Sequence, residues 1–95
     1  MEQASTERLA LIERLGELVP QLEGRVYRVD SANIRDNYHA LSSNPTDTFF
    51  IQNILGPYTK NLWIIIQTEE LYKTNPNSRV LLETVAQILE AIVNS

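Results

Sequence analysis

The 95-residue chain has no cysteine, one histidine and three glycines. Without cysteine there is no disulfide, no thiolate metal site, no iron–sulfur cluster and no thiol nucleophile. With His39 as the only imidazole, a zinc site would have to rest on carboxylates and carbonyls. A serine triad would have one available base and no GxSxG elbow to present its serine. Gly16, Gly24 and Gly56 lie too far apart in sequence to build a phosphate-cradling loop. No enzymatic activity, cofactor, metal or small-molecule ligand is therefore expected.

Long apolar runs are also missing. The longest, Leu62 to Ile66, has five residues, against the roughly 20 needed to cross a bilayer, so no membrane contact is expected. The first fifteen residues carry Glu or Arg among their apolar positions and lack a basic leader, so they do not read as a signal peptide, and a cytoplasmic location is expected. Eight basic residues stand against twelve acidic ones, a net charge of −4. That balance is opposite to the one expected of a duplex-binding domain, and a nucleic-acid partner is not expected.

Hydrophobic residues make up 43% of the chain and charged residues 21%, a composition that folds. The length fits a single helical domain over residues 1–95, burying roughly 60–65% of its unfolded surface.

Helical spacing dominates. Leu11, Ile12, Leu15, Leu18, Val19 and Leu22 recur at three- and four-residue intervals after a capping Ser5 or Thr6, and Pro20 ends or kinks this first helix near Val19. Residues 21–30 read as a connector. Asp30 or Ser31 then caps a short helix whose Ile34, Tyr38 and Leu41 share a face. Asn44-Pro45 followed by Asp47 marks the start of a third helix. In that helix Ile51, Leu55, Tyr58, Leu62, Ile65, Glu69 and Tyr72 keep a four-three spacing through Gly56-Pro57. One long helix over residues 46–73, kinked between Asn53 and Pro57, is expected. Asn75-Pro76-Asn77-Ser78 makes a turn into a last helix carrying Leu81, Leu82, Val85, Ile88, Leu89 and Ile92.

The fold expected is all-α, a small four-helix bundle with a C-terminal antiparallel helical hairpin. An α+β fold with short strands near 25–29 and 62–67 is the alternative, because RVYRV and LWIII are β-branched and apolar.

The candidate partner-binding residues fall in two groups. Around Trp63 the third helix is apolar almost all round, so either other helices cover Trp63 and Ile66, or these residues join Phe49 or Phe50 in an exposed patch. Glu69, in the seam between Ile65 and Tyr72, sets register or marks where the bundle opens. The second group is Arg25, Arg28 and Arg35, the one basic concentration, suited to bidentate contact with carboxylate or phosphate unless Glu17, Glu23, Asp30 or Asp36 neutralises it.

The function expected is a non-enzymatic protein–protein interaction or assembly module, a helical adaptor or complex subunit, with a protein partner or a second copy as its ligand. Two alternatives stand beside it. Arg35 and His39 share a helix face, and helical RNases of the HEPN class also place an Arg and a His on one helix. Three residues separate the pair here, fewer than that class has, so an RNA-contacting or HEPN-like RNase function is an alternative without a family match. An acidic inhibitor or antitoxin-like protein, occluding a basic site through Glu7, Glu13, Glu17 and Glu83, is the other.

Overall fold

The computed structural model of the chain describes residues 4–95; the first three residues of the segment read for a leader lie outside them. The all-α expectation holds. Five helices and no strand are present among the described residues, so neither 25–29 nor 62–67 forms a strand.

Helix α1 (Thr6–Leu18) starts where Ser5 accepts the Arg8 N–H at 3.0 Å, satisfying one of the donors a helix start leaves open. Pro20 tightens the chain beyond it into a 3₁₀ turn, Val19–Leu22. Helix α2 (Arg28–Ser43) follows after a bend in which Gly24 has φ of 79°, a left-handed conformation suited to glycine. It starts earlier than a cap at Asp30 or Ser31 would allow, with Tyr27 as the capping residue.

Helix α3 begins later than Asn44-Pro45 suggests. Asp47 is its cap, accepting the Phe50 N–H at 3.0 Å, and Asn44 instead closes α2. The helix runs over 48–68 as one α-turn (Thr48–Phe50), a π-helical segment (Ile51–Leu55) and a regular α-helix (Gly56–Thr68). Pro57 has no N–H and its ring would press on the carbonyl one turn back; widening that turn relieves the clash without ending the helix. The kink expected between Asn53 and Pro57 therefore takes the form of a π-bulge.

The expected end near residue 73 is corrected. Glu69 adopts an extended conformation, φ −75° and ψ 132°, is exposed, and separates α3 from the one-turn helix α4 (Glu70–Thr74). The seam read through Glu69 is broken there, and the four expected helices become five. Helix α5 (Pro76–Val93) starts as the sequence predicts, with Asn75 accepting the Ser78 N–H and Pro76 in the first turn.

The core centres on α5, which buries Leu82, Val85, Ala86, Ile88, Leu89 and Ile92 and packs against both α1 and α3. Gln52 reaches the Val93 carbonyl at 3.2 Å and Trp63 reaches Glu90 at 3.0 Å, so α3 and α5 run antiparallel as the expected hairpin. Helices α1 and α2 form a second hairpin, and the whole measures 46 × 22 × 19 Å. Arg8 of α1 fastens its far end, with donors to the Pro45 carbonyl at 3.0 Å and to the Ser95 hydroxyl and backbone oxygen at 3.0 and 2.9 Å.

Gly16 sets how closely α1 and α2 approach. A Cβ there would lie 2.5 Å from the Tyr38 hydroxyl and 2.8 Å from the ring carbon bearing it, well inside van der Waals contact. Alanine is favoured over glycine by about 1 kcal/mol inside a helix. Gly16→Ala is expected to yield none of that gain in urea unfolding, whereas in a Tyr38→Ala background it stabilises by about 0.5–1 kcal/mol. Equal stabilisation in both backgrounds would show that the Tyr38 ring does not occupy this space.

Candidate interaction surfaces

Two surfaces carry the sequence-predicted residues. On the first, the solvent side of α3, Phe49 is 69% exposed, Ile54 48% and Ile64 56%. Pro57, Lys60 and Asn61 lie exposed between them. Trp63 is half-buried on the flank, its indole N–H donating to Glu90 Oε2 at 3.0 Å across a groove that Gln52, Pro57, Lys60 and Asn94 also line. Phe50 is partly buried against the core, and Ile66 is in the core at 3% exposure. The structure thus places Phe49 and Trp63 at the surface and takes Ile66 away from it.

From Leu55 onward the inward face follows the ordinary 3.6-residue period of an α-helix rather than the strict four-three repeat. The fully buried set is Ile51, Leu55, Thr59, Leu62 and Ile66, while Tyr58 and Ile65 are only half-buried. Thr59 tolerates its position by donating its hydroxyl to the Leu55 carbonyl at 2.8 Å. Ile54 and Ile64 are left in solvent.

The second surface lies where the bend leads into α2. Arg28 and Arg35, seven residues apart and so on one face of the helix, line a single depression with Glu23, Gly24, Val26 and Ser31. Arg25 lies on the far side of the Gly24–Val26 wall, in a neighbouring depression. All three arginines are exposed. Among the described residues the one ion pair is Arg79–Glu83 at 3.6 Å, so Glu17, Glu23, Asp30 and Asp36 do not neutralise them by direct pairing. His39 is exposed beside Tyr38, with ring centroids 5.5 Å apart, and is not part of the depression that holds Arg35. Of the acidic residues considered for an inhibitory surface, Glu7, Glu13 and Glu17 are exposed on α1, while Glu83 is half-buried and paired with Arg79.

What fixes the start of α2, and with it Arg28, is a buried polar chain absent from the sequence analysis. Asp30 is only 5% exposed. The Tyr72 hydroxyl, carried by α4, donates to Asp30 Oδ2 at 2.6 Å and accepts the Tyr27 N–H at 3.1 Å. The Tyr27 and Tyr72 rings meet edge to face at 5.5 Å. Tyr27 caps the helix and Asp30 is its third residue, where an acidic side chain commonly bonds the cap N–H itself. Here the tyrosine hydroxyl is inserted between the two, so one group from α4 serves both. Burial, followed by this bond to Asp30, raises the Tyr72 pKa. Burial and then the Asp30 charge raise that of Tyr58, whose buried hydroxyl has no hydrogen-bond partner among the described residues.

No group of three or more His, Cys, Asp or Glu residues placed to hold a metal exists among the described residues, and no helix there is long and apolar enough to cross a membrane. Compared with known proteins, the chain matches no family model, no curated protein and no solved structure.

Removing the Tyr72 hydroxyl strands both a buried carboxylate and a backbone N–H, so Tyr72→Phe is expected to lower unfolding stability by about 1–3 kcal/mol in urea titration. The tyrosines also set an alkaline limit. A pKa higher folded than unfolded means the native state holds its proton more tightly, a contribution fully present below the ordinary tyrosine value of about 10 and lost as pH rises above it. Stability is expected to fall above about pH 10, with a shallower fall in Tyr58→Phe/Tyr72→Phe. An identical slope in that variant would remove these two groups as the cause.

Proposed function

We propose that this chain is a non-enzymatic protein–protein interaction or assembly module whose contact surface is the solvent side of α3, and that a second copy can occupy it. The observation that carries this reading is the exposure of three large apolar side chains, Phe49, Ile54 and Ile64, along one helix of a small domain, flanked by the half-buried Trp63. Single exposed apolar residues need no explanation, but several along one helix support a contact surface. The exposed Gln52, Lys60 and Asn61 lie among them and add polar contacts.

A helix of 21 residues, 48–68, is about 31 Å long, a length over which two copies can pack side by side through the same face with two-fold symmetry. The π-bulge lies within the same helix, between Phe50 and Gly56, and such turns occur frequently at functional sites.

The test is size-exclusion chromatography with light scattering over a roughly 100-fold concentration range, with circular dichroism on the same samples. Wild type is expected to pass from monomer to dimer as concentration rises. Phe49→Ser/Ile64→Ser is expected to stay monomeric with unchanged helicity, and Trp63→Ala to weaken association more than it lowers the melting temperature. A wild type that is monomeric throughout, or a double variant that associates as well as wild type, would contradict self-association through α3.

A further inference from the structure

Arg28 and Arg35 face solvent on the opposite side of the polar chain that seats α2, and the α3 surface makes no use of them. We infer that the depression they line is a second docking site, and that its ligand is a short acidic peptide segment of a partner protein. The inference rests on the reading of the chain as an interaction module, but on a different face.

Four observations carry it. First, the Arg28 and Arg35 side chains line one depression. Second, these arginines, like Arg25 beyond the wall, have no carboxylate within ion-pair distance among the described residues, although the chain carries twelve acids. Both guanidinium groups are thus open to a carboxylate from outside. Third, the residues between the two arginines are small. Ser31 and Ala32 come from α2 and Gly24 from the bend, so an extended backbone can approach closely while the guanidinium groups grip from either end. Seven residues of helix place the two arginine Cα atoms about 10 Å apart, the span of about three residues of extended chain. Fourth, Val26 and Ala32 also line the depression, giving such a segment apolar contact as well as charge.

Carboxylate is favoured over nucleic acid as the ligand. Arginine binds both in a two-pronged manner, but a nucleic-acid strand brings a dense run of phosphates against a chain of net charge −4. Glu23, on the wall of the depression, opposes any anion and tunes the affinity downward.

The experiment measures fluorescence anisotropy of a labelled hexaglutamate peptide with the full chain at about 20 mM salt, where exposed charges are little screened. Saturable binding is expected, about tenfold weaker in Arg28→Ala and in Arg35→Ala, tighter in Glu23→Gln, and lost as salt is raised. Arg79→Ala, which removes an arginine outside the depression, is expected to bind as wild type does. No saturation, equal loss in Arg79→Ala, or tighter binding of an oligouridine of similar length would overturn the assignment. Phe49→Ser/Ile64→Ser is expected to keep peptide binding while losing self-association. In that variant, loss of peptide binding would therefore reject this site, whereas retained self-association would reject the α3 surface.

Discussion

A carboxylate taken out of water is expensive unless its oxygens are bonded, and Asp30 is such a carboxylate, held by the Tyr72 hydroxyl at 2.6 Å. The bond spans 42 residues of sequence and joins the α1–α2 hairpin to α4, which links the two halves of the other hairpin. Because the same hydroxyl accepts the Tyr27 N–H, it determines where α2 begins. From that start follow the phase of α2, the burial of Ile34 and Leu41, and the presentation of Arg28 and Arg35 to solvent. At the opposite end Arg8 links α1 to the Pro45 loop and to Ser95. With no disulfide to restrain it, this small domain relies on such long-range polar ties in addition to the apolar face of α5.

The second constraint is Pro57. A proline inside a helix either breaks it or forces a local rearrangement, and the π-bulge is the rearrangement that keeps the chain helical from 48 to 68. Because the helix continues, Phe49 and Ile54 before the proline and Ile64 after it stay on one element, all in water, while Leu55, Leu62 and Ile66 are buried.

Local chemistry was legible in the sequence where a single mechanism acted. Ser5, one of two expected candidates, caps α1; the Asn75-to-Ser78 turn leads into α5 with Asn75 as its cap; and the apolar spacing of the last helix marked the residues that α5 buries. Where two mechanisms competed, the sequence misled. Asn44 and Asp47 are both capping residues three apart, and Asn44 ends one helix while Asp47 starts the next. The strict four-three repeat through Tyr58 and Ile65 only approximates the 3.6-residue helical period, and by Thr59 and Ile66 the buried face has drifted one residue along. The break at Glu69 has no local mark, neither proline nor glycine nor a capping side-chain bond. It is accompanied by the burial of Tyr72 against Asp30, a contact between residues too far apart for any spacing rule to pair. The arginine grouping was visible as residue numbers 25, 28 and 35. That only Arg28 and Arg35 share a depression, and that no acid pairs with them, emerged only with the helices in place.

Because the Tyr27 N–H is donated to a buried side chain from a distant helix, its hydrogen exchange reports directly on whether that chain of bonds unites the two hairpins. Native-state exchange followed by NMR should show the Tyr27 amide opening with the free energy of global unfolding, alongside the amides of Val85 and Leu89 in α5. A Tyr27 amide that exchanges as fast as those of the Glu23–Arg25 bend would contradict the central role given to Tyr72, and would mean that α2 is seated by apolar packing alone.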